Sequence, residues 1–393
     1  MNPRTHGQIA YRPSPRVMKN LVLVGLAGIL LTAMGLLLAP GRTWPNILLA
    51  SYYVLGLSVG GGMFIALQYV SNAGWSVALR RAPEAVASAF PFGAALMLFV
   101  LAGIGHLYEW SHESVVAVSH LLASKSGWLN IPFFAVRTVA YLAVWGLLLR
   151  KMIVTSRRQD GEGGTALTAK NTRFSAAYIA LFAFTFTLAS MDWIMTLEPE
   201  WYSTIFGIYN FSGVFVSGLA VTTIFVIVLK RSGGPRSVIS EAHLLNLGKL
   251  LFAFSTFWMY IWFSQYLLIW YANIPEEVVY LVKRQEGSWV IFTVVNVLFN
   301  WFIPFVVLLP RWTKRNEGLL LKVCILLLAG HWIDLFWMIL PPFMPEAPVF
   351  TIWEFAPLSA ALSLFFLLVF RTLSRHSVVP TGDPLLAESL RQH

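Results

Sequence analysis

Eight polar side chains lie inside, or at the ends of, long apolar runs: His106, Glu109, Arg137, Asp192, Gln265, His331, Asp334 and Glu354. An ionisable group in hydrocarbon costs about 3 kcal/mol on insertion scales, so it turns toward protein and marks a candidate site. Oxidation of a lipid-soluble quinol releases electrons and protons, and needs hydrogen-bond partners for the ring oxygens plus a His or carboxylate to accept the protons. His331 and Asp334, three apart, share a helix face, and Trp193, Trp332 and Trp337 offer aromatic walls nearby. The same residues suit a proton wire or an ion-translocation site, and their types alone leave these uses open. His106 and His331 also invite a haem b reading, although a di-haem cytochrome would need further paired histidines at a second depth. The run His106-x2-Glu109-x2-His112-Glu113 has no strong metal-ligand spacing and reads as residues facing water.

The elements that must hold these groups follow from composition. Of 393 residues, 57% are hydrophobic and 12% charged, about half the charge of a soluble domain. Polar residues form short islands between apolar runs. At about 20 apolar residues per crossing, ten helices are expected, over 20–39, 46–71, 85–108, 130–152, 174–195, 203–229, 243–271, 288–309, 318–340 and 350–371. The expected fold is thus an all-α polytopic membrane protein: a ten-helix domain over 20–371 between an N-terminal tail, 1–19, and a C-terminal tail, 372–393. The tail is long and polar and no small-x-small site follows the first apolar run, so that run reads as a permanent helix.

The net charge of +10 resolves into sidedness. Twenty-one Lys and Arg fall in the tails and loops of one side, four (Arg42, Lys125, Lys283, Arg284) on the other, and three (Arg137, Lys249, Lys322) within spans. Positive charge marks the cytoplasmic side, so both termini are expected there and nucleic acid is not needed to explain the basicity. Arg137, seven residues past Asn130, then lies roughly 10 Å below the outer surface. The other candidates gather in the same leaflet, where they are expected to converge. The cytoplasmic half offers fewer, chiefly Asn246, Lys249 and Lys322, and the two lysines snorkel.

Trp44-x7-Tyr52-x3-Gly56-x4-Gly61 recurs as Trp201-x7-Tyr209-x3-Gly213-x4-Gly218. Four helices separate the copies, which suggests two parallel four-helix-bundle repeats, spans 2–5 and 6–9, flanked by spans 1 and 10. The glycines, with Gly60 and Gly62, read first as sites of close helix approach.

Cys324 is the single cysteine, so the chain by itself can hold neither a four-thiolate iron-sulfur cluster nor a Cys-x-x-Cys-His haem c. The segment from Ala189 through Asp192-Trp193 and Glu198-Pro199 to Trp201 and Gly207 resembles the signature region of the NrfD-like (polysulfide-reductase membrane subunit) family. Within that family it resembles the second of the two such subunits of bacterial alternative complex III. The resemblance implies a bacterial cytoplasmic-membrane subunit of a quinol:electron-acceptor oxidoreductase, with cytochrome c or a similar acceptor. It further implies quinone or menaquinone as the diffusible ligand and no covalently bound cofactor. Iron-sulfur clusters and haem c would reside in partners: a second NrfD-like subunit, an iron-sulfur subunit and multi-haem cytochromes c. Asp192 and the His331/Asp334 pair become proton-path or quinone-pocket candidates, with Arg137 as their charge balance. A purely structural scaffold and a stand-alone secondary transporter are the competing expectations.

Overall fold

The computed structural model describes residues 10–232 and 238–391; Arg4 and Arg236 of the charge count lie outside the described residues. Among these, ten helices are long and apolar enough to cross a membrane: α1 Pro15–Leu38, α2 Pro40–Val70, α3 Arg81–Leu107, α4 Ile131–Glu162, α5 Ala166–Leu197, α6 Phe206–Arg231, α7 Glu241–Ala272, α8 Trp289–Leu308, α9 Glu317–Ile339 and α10 Ile352–Arg375. The described residues contain no strand, and the protein is an all-α polytopic membrane protein.

Most helices extend past the apolar runs that announce them, because capping chemistry rather than hydrophobicity sets their ends. Pro40 occupies the first turn of α2 only two residues after α1 ends, where a missing N–H costs nothing, so Arg42 lies in a helix instead of a loop. Asn130 caps α4 by accepting from the Phe133 N–H at 3.0 Å. That helix then runs through the expected 150–173 loop as far as Glu162, and the remaining turn uses Gly163 and Gly164 at φ +67° and +83°, angles that favour glycine. Glu354 closes a capping box on α10: its Oε2 accepts the Thr351 N–H at 2.6 Å and the Thr351 hydroxyl at 2.7 Å.

The two central spans are α2 and α6. The whole of the most apolar stretch of α2 and 89% of that of α6 are buried inside the protein, against 17% for α1. They pack on each other, with α3 and α5 also against α2, and α7 and α9 against α6. α1 lies outside, against α10. Contact between α2 and α6 is backbone to backbone: a Cβ added to Gly218 would fall 2.6 Å from Gly60 Cα, and one added to Gly60 would fall 2.6 Å from the Val214 carbonyl oxygen. Such approach is how helices associate where lipid offers no hydrophobic drive.

Two spans are interrupted. α3 breaks at Ser88–Ala89, between helical segments Arg81–Ala87 and Phe90–Val100. α8 holds a π-helical turn, Leu298–Phe302, just before Pro304, whose ring cannot coexist with a regular bond to the Asn300 carbonyl.

Both described termini lie at one end of the bundle, where the Tyr11 N–H donates to the Leu373 carbonyl at 3.1 Å. The chain after α10 is not a free tail. It folds across this end, burying Val378, Val379 and Leu386. Asp383 pairs with the buried Arg80. Ser389 donates to the Trp75 carbonyl at 2.7 Å and accepts from the Ala78 N–H at 3.1 Å, while His243 Nε2 lies 3.1 Å from the same hydroxyl. His243 Nδ1 accepts the Ser240 N–H, which leaves Nε2 to donate to Ser389.

Gly218→Ala forces backbone apart and is expected to cost about 1–3 kcal/mol or more, read as a lowered melting temperature of the detergent-solubilised protein. Gly41→Ala, whose added Cβ meets nothing within 4 Å, serves as the control and should leave the transition in place.

Candidate functional site

The candidates do not form one cluster. α2 and α6 stand between two buried aspartates at the end of the bundle opposite the termini, and each has its own partners. Asp192, 1% exposed on α5, accepts both prongs of Arg137 from α4: Nε to Oδ2 at 2.8 Å and Nη2 to Oδ1 at 2.9 Å. The Tyr141 hydroxyl donates to Oδ2 at 3.0 Å and the Trp128 indole N–H to Oδ1 at 2.9 Å. The third Arg137 nitrogen donates to the Trp128 carbonyl at 3.0 Å, and the guanidinium stacks 4.1 Å from the Trp128 ring centre. Four donors saturate a carboxylate, so this pair meets the desolvation cost of two buried charges with full hydrogen bonding.

Asp334 on α9, also 1% exposed, solves the same problem without a cation. Its Oδ1 accepts from the Tyr209 hydroxyl on α6 and from Asn296 Nδ2 on α8 at 2.8 Å; its Oδ2 accepts from the Trp258 indole on α7 at 3.1 Å. The two sites are laid out alike. α4 reaches back to the aspartate of α5 through Arg137, and α8 reaches the aspartate of α9 through Asn296. The expectation that Arg137 balances both acids is therefore corrected: it serves Asp192 alone.

His331 lies one turn before Asp334, stacked on Tyr53 at 5.5 Å between ring centres, and neither ring nitrogen has a hydrogen-bond partner. Gly213 makes room for it, since a Cβ there would lie 2.9 Å from His331 Nδ1. Between the two sites stands Tyr52 of α2, donating to Asn210 Oδ1 of α6 at 3.2 Å and lying 3.5 Å from Ser190 Oγ of α5. The repeated tyrosines thus do different work: Tyr209 holds an acid, while Tyr52 bridges the central seam.

The remaining expected residues lie elsewhere. Glu354 is buried, but it ties α10 to α2 through Arg42 Nη2 at 2.7 Å besides capping its own helix. Gln265 is buried on α7 with its amide oxygen unpartnered. His106 and Glu109 are exposed at the end of α3, His106 stacked on Trp44 at 6.3 Å. Neither bonds to Arg137, Asp192, His331 or Asp334.

Two charged sites were not anticipated. Arg284, counted as a loop charge, is fully buried; it donates to the Trp337, Tyr280 and Met338 carbonyls and to Glu198 Oε1 at 2.7 Å. Beside it, Tyr280 stacks on Trp201 at 3.8 Å. Near the termini end, Arg81 of α3 pairs with Glu84 and with Asp160 of α4, and Ser156 hydrogen-bonds to the same Glu84. The i, i+3 spacing of Arg81 and Glu84 was the available sequence signal.

Asp192 borders a cavity of about 660 Å³, walled among others by Trp128, Met191, Met195 and Trp201. The lining is mixed, since Lys125, Glu200 and Glu276 stand with Asp192 among these apolar and aromatic walls. No protein-family model and no curated protein matches this chain.

Arg137→Met, which strands Asp192 in the interior, is expected to lower stability by about 3–5 kcal/mol, and the double variant Arg137→Met/Asp192→Leu to regain most of it. Thermal unfolding of both in one detergent checks the pair; equal losses would show that the residues do not act together.

Proposed function

We propose that this chain is an integral-membrane subunit of a quinol-oxidising electron-transfer complex, of the NrfD-like kind found in alternative complex III. In this reading it lies in a bacterial cytoplasmic membrane with both termini in the cytoplasm, which puts Asp192 and Asp334 in the outer leaflet. The observation that carries the reading is the Asp192 cavity: a carboxylate held by Arg137 at the edge of a chamber walled in part by Trp128, Trp201 and Tyr202. The Glu198–Trp201 part of the signature segment supplies one of its walls and, through Arg284, its anchorage.

The chemistry follows from the hydrogen bonds. Asp192 has no free acceptor position while Trp128 donates to it. Trp128 also lines the cavity, so a quinol hydroxyl replaces the indole N–H on Oδ1 and gives one of the quinol's two protons to the carboxylate, the second leaving to water on the outer side. Arg137 and Tyr141 hold that carboxylate in place. The two electrons would be taken by iron-sulfur and haem c centres held by partner subunits, in keeping with a chain that has one cysteine. The similar layout of the two aspartate sites supports two parallel four-helix repeats.

A scaffold role is the second reading, and the same saturation of Asp192 favours it. The deciding experiment is quinol-dependent reduction of partner haems in the purified assembly carrying Met191→Trp, which fills the cavity without touching the ion pair. A tenfold or larger rise in the quinol KM, with subunit content unchanged, is expected. Unchanged kinetics in an intact assembly leave only the scaffold, and purification without haem- or cluster-bearing partners removes the whole assignment.

A further inference from the structure

The break in α3 shapes a second chamber, far from the aspartates and near the termini end. Pro91 has no N–H to give the Ala87 carbonyl four residues back, so the regular helical hydrogen bonding lapses at Ser88–Ala89 while both residues keep right-handed helical dihedrals. Against this break α4 presents one stripe, Gly146, Leu149, Arg150, Ile153 and Arg157, at the i, i+3, i+4, i+7 and i+11 positions that share a helix face. Together they enclose a cavity of about 350 Å³. Its apolar end is fitted closely: a Cβ on Gly146 would lie 2.7 Å from the Phe90 ring.

The other end is cationic. Arg157 donates to Ser88 Oγ at 3.1 Å and meets His376 Nε2 at 3.0 Å, and its Nε is buried with no partner. Neither Arg157 nor Arg150 makes an ion pair with a described residue. Glu84 and Asp160 act on Arg157 through space, but both are bonded to Arg81, and Glu84 also to Ser156. The neighbouring Arg158 has its own partner in Glu162.

Depth sets what can meet this charge. α4 has 32 residues, or about 48 Å of helix, against a hydrocarbon core of about 30 Å. Its last turns therefore stand in the headgroup layer. Arg157 and Ser88 mark the shallow end of the chamber; Gly146, Phe90 and Pro91 mark the deep end, toward the bilayer centre. Arg150 and Arg157 are roughly 10 Å apart along the axis, within reach of one headgroup from both sides as their stems snorkel.

We propose that this chamber binds an anionic glycerophospholipid, its phosphate between Arg150 and Arg157 and one acyl chain along Phe90, Gly146 and Leu149. The charge selects the headgroup and the apolar end, at Phe90 and Gly146, takes the chain. The site is independent of the quinol chemistry.

Native mass spectrometry of the full chain, delipidated and then offered phosphatidylglycerol or phosphatidylcholine, tests it. Wild type is expected to retain phosphatidylglycerol about tenfold or more over phosphatidylcholine, since each basic residue adds to binding of anionic lipid. Arg150→Gln/Arg157→Gln should remove that preference, and Gly146→Leu, which fills the chamber but keeps both arginines, should lower retention of the anionic lipid. Equal retention of the two lipids by wild type overturns the proposal, as does an undiminished preference in the arginine double variant. Should Gly146→Leu fail to fold, the arginine variant decides alone; a folded Gly146→Leu that keeps its lipid places the lipid elsewhere and overturns the proposal too.

Discussion

Gly60 of α2 and Gly218 of α6 touch through their backbones, and the seam that separates the two buried aspartates rests on that contact. In a bilayer, lipid tails solvate an apolar helix as well as another helix does, so association rests on close approach. With no side chain at the crossing, α2 and α6 come near enough for Tyr52 of one to bond Asn210 of the other. α5 and α9, packed on opposite flanks of the seam, then hold Asp192 and Asp334 apart. A wider crossing would loosen the Asp334 site, whose donors include Tyr209 on α6 itself, more than the Asp192 site, whose donors come from α4 and Trp128.

The two acids show different solutions to one constraint. Burying a carboxylate requires either a counter-charge or enough donors to replace its water. Asp192 has a bidentate arginine and two further donors, and is rigid as a result. Asp334 has neutral donors from three different helices, so its surroundings join α6, α7 and α8 to α9. His331 beside it has no polar partner and packs as a ring against Tyr53.

Legibility was uneven, and for identifiable reasons. Arg137, Asp192, His331 and Asp334 stood out because a charge in an apolar run is costly wherever the helix packs. Their joint convergence did not follow, since depth along a helix says nothing about which neighbour its face meets. Arg80 and Arg284 do lie between spans and Arg81 opens α3, but the burial of all three escaped notice for the opposite reason. Each sits at a span boundary where sequence cannot tell water from protein, and each is buried by a segment distant in sequence: the folded C-terminal residues, the end of α4, or Glu198 with the end of α9. The overlong helices escaped notice because Pro40, Asn130 and the Gly163–Gly164 turn set their ends, whereas hydropathy reports only the stretch in hydrocarbon.

By itself the sequence determined ten apolar spans, which residues had to be hidden from lipid, and that any cysteine-ligated cluster must belong to another chain. These are properties of the chain against its solvent, and solvent acts on each residue wherever its neighbours stand. Tertiary structure alone decided that Arg137 answers Asp192 and not Asp334, that Glu354 caps a helix and binds Arg42, and that a proline break in α3 opens a chamber beside two unpaired arginines. Such pairings depend on the rotation and crossing of whole helices, set by small residues such as Gly60, Gly213 and Gly218 whose partners lie more than a hundred residues away.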